Sequence, residues 1–202
     1  SIPKEHAAMA ETLTRRSPLQ GWAAQFAATP PAARLTEEPF TTMVDLWVDP
    51  AGAGGAEAAR LLGLNSLPTT PGTCVAGTDA TVIWFGPQEW LVTSTQHGGE
   101  ALETQLHEAV AAAGGAAVDV SAQRTIVRLR GAHARDVLAK GCSLDLHPRV
   151  FGPGAAAQTM LALAAVVLIP LDDKGTDYRI IVRSSFAGYL ADWLLDAAEE
   201  FA

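Results

Sequence analysis

After residue 39, the pattern of apolar and polar positions runs twice through the same order of predicted elements. In the first run, period-2 alternation predicts a strand over 43–48 and a hairpin of strands over 81–85 and 89–95 around Gly86-Pro87. Helical spacing predicts helices over 54–64 and 100–113, the second of which is closed by Gly114-Gly115. The order is therefore β-α-β-β-α.

The second run repeats this order between residue 119 and the C-terminal end of the sequence. Strands are predicted over 126–130, 160–169 and 178–183, with a turn over 172–175. A helix over 133–140 is stopped by Gly141, and a final helix capped by Ser184 or Ser185 extends through Glu200. Two similar α+β units, each a sheet covered by helices on one face, are the expected architecture.

The residues before the first unit have a different character, because they scatter prolines among Ala, Thr and charged residues. We therefore predict an N-terminal arm over 1–39, a first α+β unit over 40–116 and a second over 117–202, with both units packed as one compact body. In the arm, Leu19, Trp22 and Phe26 share one face of a short helix that must dock on something. Its own domain and another subunit are equally good alternatives.

Arginines mark the first strand of the second unit. Thr125, Val127 and Leu129 fall on one face of this strand, and the opposite face carries a row of arginines at positions Arg124, Arg128 and Arg130. The apolar face predicts contact with a core, whereas the arginine row predicts contact with water or with an acidic partner. The candidate partner interface comprises this row and residues of the arm: Arg15, Arg16, Leu19, Trp22, Phe26, Arg124, Arg128 and Arg130.

Charge and composition narrow the classes of partner and compartment. The formal net charge of −8 repels phosphate backbones and argues against general nucleic-acid binding. The longest apolar run, 161–169, is too short to span a bilayer and ends at Pro170, so no membrane association is expected. Cys74 and Cys142 lie far apart and lack zinc-ligand spacing, which predicts free thiols, no metal site and a cytoplasmic protein.

No catalytic constellation emerges from the reactive residue types. The loop 51–55 lacks the third glycine of a dinucleotide motif and predicts a simple helix start. His133 and Asp136 have the spacing of a local surface pair on a helix, and Asp119 at a strand end predicts a turn residue. Cys142, in the sequence Lys140-Gly141-Cys142, is expected to be a buried small side chain.

Five motifs in order resemble one family over almost the whole chain: RRSPL at 15–19, FGPQEWL at 85–91, DVS at 119–121 with Arg124, GCSLDL at 141–146 and RSSFAGYLADWL at 183–194. Together they resemble the gamma subunit of heterotetrameric sarcosine oxidase. More distantly, DVS and the Gly131-Ala132 turn into the following helix are similar to the folate-binding domain of the glycine-cleavage aminomethyltransferase. That similarity implies an alternative for Asp119, a carboxylate beside folate. The resemblance implies ferredoxin-like or aminomethyltransferase-like units.

The resemblance also implies a function. It predicts a non-catalytic structural and assembly subunit, with alpha, beta and delta subunits as partners, in a complex that oxidatively demethylates sarcosine to glycine. Such a complex produces hydrogen peroxide and, with tetrahydrofolate as a substrate, 5,10-methylenetetrahydrofolate. The family carries FAD, FMN, NAD and zinc on the other subunits, so no cofactor-binding or catalytic residue is expected on this chain. The alternative is an independent folate-dependent one-carbon transferase or folate-binding protein.

Overall fold

Two five-stranded antiparallel sheets form the centre of the molecule, in a computed structural model that describes residues 14–202. The first sheet has the order β3-β4-β5-β2-β6 and the second has the order β1-β7-β10-β9-β8. The strands are β1 (Arg34–Glu38), β2 (Thr42–Trp47), β3 (Cys74–Ala76), β4 (Thr81–Gly86), β5 (Glu89–Ser94), β6 (Ala116–Asp119), β7 (Arg124–Arg130), β8 (Ala157–Leu161), β9 (Ala164–Pro170) and β10 (Asp177–Arg183). The α-helices are α1 (Ala23–Ala28), α2 (Ala53–Leu61), α3 (Gly99–Val110), α4 (Ala134–Ala139) and α5 (Ser184–Glu199).

The predicted α+β class and the repeated order of elements are confirmed. The first half runs β2-α2-β3-β4-β5-α3 and the second runs β7-α4-β8-β9-β10-α5, so each half contains one strand more than the sequence pattern indicated. The extra strand of the first half, β3, has only three residues. Within residues 14–202, no helix is both long enough and apolar enough to cross a membrane.

Three apolar clusters show how the layers pack. One lies between the second sheet and helices α1, α4 and α5, and another lies between the first sheet and helices α2 and α3. The third joins Met43, Ile83 and Leu91 of the first sheet to Ile126 and Ile181 of the second. The sheets therefore pack face to face, with helices on both outer surfaces. Because both faces of each sheet are covered, strands such as β9 are apolar almost throughout.

The edge strands β1 and β6 each pair with the half of the chain that they do not lead into. Strand β1 belongs to the predicted arm, yet it pairs with β7 of the second half, with Leu35 opposite Leu129. Strand β6 directly precedes the second half, yet it pairs with β2 of the first, with Leu46 opposite Ala117. Each half thus receives an edge strand from the residues that lead into the other half. The part of the arm from residue 14 onwards is integrated into the fold, while residues 1–13 lie outside the described part.

The predicted single strand over 160–169 is wrong, because the chain forms a hairpin there. Strands β8 and β9 flank a two-residue turn at Ala162-Leu163, where Ala162 has a φ of 50°. The Ala162 amide donates a hydrogen bond to the Gly141 carbonyl at 2.9 Å, which holds the turn against the end of α4. The expected serine cap on the final helix is also absent, since the Ser184 hydroxyl donates to the Ala122 carbonyl instead.

Candidate functional site

The short apolar face of the arm docks on its own chain. Leu19 and Phe26 are 1% and 3% exposed and belong to the cluster that lies under α5. Trp22 packs against Gly188 so closely that a Cβ there would lie 2.9 Å from the indole ring. The Trp22 indole also donates a hydrogen bond to Asp192 at 2.7 Å. The structure therefore shows this face docked on its own chain, which is the first of the two alternatives.

Two arginines near the start of the described part of the arm lie at the surface. Arg15 and Arg16 are exposed, and the guanidinium of Arg15 lies 4.5 Å from the centroid of the Phe40 ring. Phe40 is itself 46% exposed and has a positive φ of 59°. A partner contact at Arg15 and Arg16 stays a prediction, and the exposure of both residues is compatible with it.

Two arginines of the β7 row, Arg124 and Arg128, do not face open solvent, which corrects the expectation from the strand pattern, whereas Arg130 is exposed. Ile126 lies between Arg124 and Arg128 on the same face, and Ile126 is buried in the cluster between the two sheets. Arg124 and Arg128 therefore point into the layer between the sheets. The acidic partners of the row belong to this chain, and they form two charged clusters, one on each side of Ile126.

The first cluster, which we call the closed cluster, is held together by hydrogen bonds. Arg128 donates two hydrogen bonds to Asp177, at 2.8 and 2.7 Å, and Arg179 donates one to Glu38 at 2.7 Å. Arg130, which is 70% exposed in its side chain, adds a longer contact to Asp177 at 3.8 Å. The hydrogen bond with Asp177 raises the pKa of Arg128, which fixes its positive charge. This cluster stabilises the junction of β1, β7 and β10.

The second cluster, which we call the open cluster, contains the same residue types without hydrogen bonds between them. Arg124 lies 3.7 Å from Asp45 and over the ring of Phe85, at 5.7 Å from its centroid. The facing atoms, Nη1 of Arg124 and Oδ1 of Asp45, are buried and have no hydrogen-bond partner within residues 14–202. Burial raises the pKa of Asp45, and nearby Arg124 and Arg183 partly oppose that rise. Burial and Asp45 together raise the pKa of Glu89.

Asp119 occupies a turn at the end of β6. Its carboxylate accepts hydrogen bonds from both the backbone amide and the hydroxyl of Ser121. Ser121 in turn accepts a hydrogen bond from the Met43 amide at 2.9 Å, which ties the turn to β2. A Cβ at Gly99 would lie 2.1 Å from the carboxylate, so this glycine is required for the close approach of α3.

His133 and the glycine-rich loop also have local structural contacts. His133 forms its predicted pair with Asp136 at 2.8 Å, and its ring stacks on Phe201 with centroids 4.5 Å apart. In the first turn of α2, a Cβ at Gly55 would lie 2.5 Å from the carbonyl of Asp49 in the preceding loop. The glycine there permits close packing of the loop against the helix.

Both cysteines are free thiols that are partly buried. The Cys74 thiol lies 3.5 Å from the Ala155 carbonyl, and burial raises its pKa. Cys142 packs against the cluster between the second sheet and its helices. Over residues 14–202, no group of three or more His, Cys, Asp or Glu side chains is placed to hold a metal ion.

The acids of the two charged clusters were missed by the sequence analysis, although β10 carried a usable signal. Asp177, Arg179 and Arg183 alternate along β10 with the same period as the arginines of β7. In the antiparallel pair, Arg179 lies opposite Arg128 and Arg183 opposite Arg124. Like charges across a strand pair must be compensated. That requirement predicts acids close to these arginines, on the same sheet or on the facing one.

The sequence matches characterised proteins over nearly its full length. A family model described as "Sarcosine oxidase, gamma subunit family" matches residues 47–200. The "Sarcosine oxidase subunit gamma" of Corynebacterium sp. (strain U-96) is 36% identical over 196 residues, which cover 95% of this chain and 93% of that protein. The protein of the same name from Arthrobacter sp. is 36% identical over 194 residues, with the same coverage of both chains.

Two solved structures superimpose on most of this chain. A chain of the heterotetrameric sarcosine oxidase from Corynebacterium sp. U-96, solved in complex with pyrrole 2-carboxylate, superimposes with a TM-score of 0.84 at 35% identity. The match covers 93% of this chain and 96% of that one. The glycine cleavage system aminomethyltransferase T from Bartonella henselae gives a TM-score of 0.59 at 15% identity, covering 86% of this chain and 48% of that one. The second match shows a shared fold.

Proposed function

Because the chain belongs to the sarcosine oxidase gamma subunit family, we propose that it is the non-catalytic structural and assembly subunit of a heterotetrameric sarcosine oxidase. The observation that carries this proposal is the match over about nine-tenths of both chains to a subunit of such a complex. A relative of this extent shares the whole folded body of this chain. We expect this chain to present surfaces to neighbouring subunits in the same arrangement.

The contacts of the candidate reactive groups support a structural role. Asp119 is engaged in a turn, His133 stacks on Phe201, and Cys74 carries a raised thiol pKa. A catalytic acid, base or nucleophile needs a free reactive atom that converges with a second functional group. These three groups are engaged separately, at different places in the fold.

The proposal assigns the chemistry to the complex rather than to this chain. The complex would oxidise sarcosine to glycine with production of hydrogen peroxide and, with tetrahydrofolate, of 5,10-methylenetetrahydrofolate. FAD, FMN, NAD and zinc would be held by the alpha, beta and delta subunits. A cytoplasmic location belongs to the same proposal, which is supported by the two free thiols.

Co-expression with the three other subunits tests the proposal. A tag on another subunit should recover this chain in stoichiometric amount, together with a visible flavin spectrum and sarcosine oxidase activity. The lone chain should show neither. If the other three subunits gave an equally stable and active complex without this chain, an assembly role would be contradicted.

The folate-dependent alternative has one supporting observation, the fold shared with an aminomethyltransferase. The chain spans about half the length of that protein. Calorimetric titration of the isolated chain with tetrahydrofolate separates the two proposals. Micromolar binding by the lone chain would favour the folate-binding alternative, and absence of binding would favour the assembly role.

A further inference from the structure

Strand β8 has an outer edge whose backbone groups are unpaired over a short stretch. Just before the strand, the Ala156 amide donates to the Gly72 carbonyl, and just after it the Ala162 amide donates to the Gly141 carbonyl, each at 2.9 Å. Amides of an antiparallel edge strand alternate in direction, so those of Gln158 and Met160 point to the same outer side. Neither donates a hydrogen bond on that side to any residue within 14–202.

This edge also lacks the features that normally prevent strand addition. Strand β8 contains no charged residue and no proline, and it pairs with β9 in regular register. The opposite edge of the same sheet, β1, carries three charged residues in five, and the edge strand β3 has only three residues. Soluble proteins protect exposed edges with charges, prolines, bulges or short length. An unprotected edge is a site for pairing with another chain.

A cavity with positive charge adjoins this edge. Gln158 and Met160 line it together with Phe85, Arg124 and Arg183. Its volume is about 540 Å³, compared with about 270 Å³ for the cavity near the closed cluster. The charged residues that line it are the two arginines. Asp45 lies near Arg124 at 3.7 Å, whereas Arg183 is exposed and forms no ion pair within the described residues. Asp45 and Glu89 lie on the Arg124 side of the cavity, so the exposed guanidinium of Arg183 is the cation that this cavity offers to a partner.

We propose that β8 and this cavity bind an extended, acidic segment of a partner polypeptide. The proposal rests on the proposed function and identifies a surface for one neighbouring subunit. The outward amides of Gln158 and Met160 are about 7 Å apart, because two residues of a strand span that distance. An extended polypeptide backbone offers C=O and N–H groups at the same spacing and can therefore pair with them. A carboxylate on such a segment would pair with Arg183. Room exists for about four residues, since Ala156 and Ala162 are already engaged at either end.

Amide hydrogen exchange in the complex tests the pairing directly. In the lone chain, the amides of Gln158 and Met160 should exchange rapidly, whereas their neighbours bonded to β9 should be protected. In the complex with the alpha, beta and delta subunits, we expect exchange at Gln158 and Met160 to slow by about 100-fold. Unchanged exchange in an intact complex would overturn the proposal. Protection that appears in the lone chain as its concentration rises would overturn it in favour of a second copy of this chain.

A charge variant tests the acidic character of the segment. Arg183→Gln should reduce recovery of this chain through a tagged partner subunit about 10-fold at low salt, with a smaller loss at high salt. Arg149→Gln is the matched control, because Arg149 is exposed and forms no ion pair within residues 14–202. Thermal unfolding of both lone variants checks that each folds. Equal recovery of both folded variants would contradict an acidic occupant.

The outcomes separate this surface from the proposed function. If the chain co-purifies with the other subunits while Gln158 and Met160 remain unprotected, the proposed pairing at β8 is contradicted and the proposed assembly function is supported. If the chain does not co-purify at all, the proposed function fails and this surface fails with it.

Discussion

Replacing Phe26 by alanine tests whether the arm is part of the folded body of this chain. The phenyl ring is 3% exposed and lies in the cluster with Leu19 under α5. A buried phenylalanine removes at least ~150 Å² from water, which at ~25 cal/mol per Å² corresponds to about 4 kcal/mol. The alanine methyl retains part of that contact. We therefore expect Phe26→Ala to lower the free energy of unfolding by about 3 kcal/mol.

The assay is urea unfolding of the lone chain at 25 °C, followed by circular dichroism and by tryptophan fluorescence. For a chain of this length, a loss of about 3 kcal/mol lowers the Tm by about 6–12 °C. Gln25→Ala provides the matched control, since Gln25 is exposed on the same helix and its substitution should change stability by less than about 0.5 kcal/mol.

A small effect of Phe26→Ala would contradict docking of the arm on its own chain. If the variant unfolded within about 0.5 kcal/mol of the unmodified chain, the face formed by Leu19 and Phe26 would not contribute to its own core in solution. Docking on another subunit, the second alternative from the sequence, would then explain the apolar spacing better.

The charged clusters and the Cys74 thiol can each be tested by a single change or reagent. Asp177→Asn should lower the free energy of unfolding by about 1–2 kcal/mol, because it weakens two charge-assisted hydrogen bonds from a partly exposed Arg128, and urea unfolding measures this. Asp45 has a folded-state pKa above 3.8, so its ionisation costs stability as pH rises through the interval above 3.8. Asp45→Asn should therefore be more stable than the unmodified chain at pH 7, and the difference should disappear as the pH falls below 3.8; no difference at pH 7 would contradict the raised pKa. Cys74 should react with a thiol reagent at pH 8 at least about 10-fold more slowly in the folded chain than in urea, and equal rates would contradict its burial.

Much of the fold could be predicted from periodicity, and the errors have local physical causes. The hairpin around Gly86-Pro87 and the helix end at Gly114, with its φ of 75°, were marked by turn residues. The turn at Ala162-Leu163 carries no Gly, Pro, Asn or Asp, and both flanking strands are apolar, so the sequence showed one continuous strand there. Its conformation depends on the tertiary hydrogen bond from the Ala162 amide to Gly141.

The pairing of β1 and β6 could not be predicted, because the order of elements contains no signal for which sheet an edge strand joins. Strand β1 pairs with β7, whose residues lie about ninety positions later in the chain. The candidate site was only partly predictable for a related reason. The arginine row of β7 was identified correctly as a charged face, but Ile126 on that same face already indicated a buried surface. A face that alternates arginine and isoleucine is typical of a layer with internal counter-charges.

The two charged clusters together explain why the open cluster is the better candidate for partner contact. Both lie in the layer between the sheets and both contain arginines from β7 and β10 with acids nearby. In the closed cluster, Arg128 and Asp177 satisfy each other through two hydrogen bonds, and the desolvation of their charges is compensated within the chain. In the open cluster, Arg124 and Asp45 approach to only 3.7 Å and leave buried atoms without partners. Buried polar atoms without partners are costly and rare in native proteins. An assembly that covers this end of the layer and shortens the Arg124-Asp45 contact would recover that cost, and the open cluster would then contribute to association what the closed cluster contributes to folding.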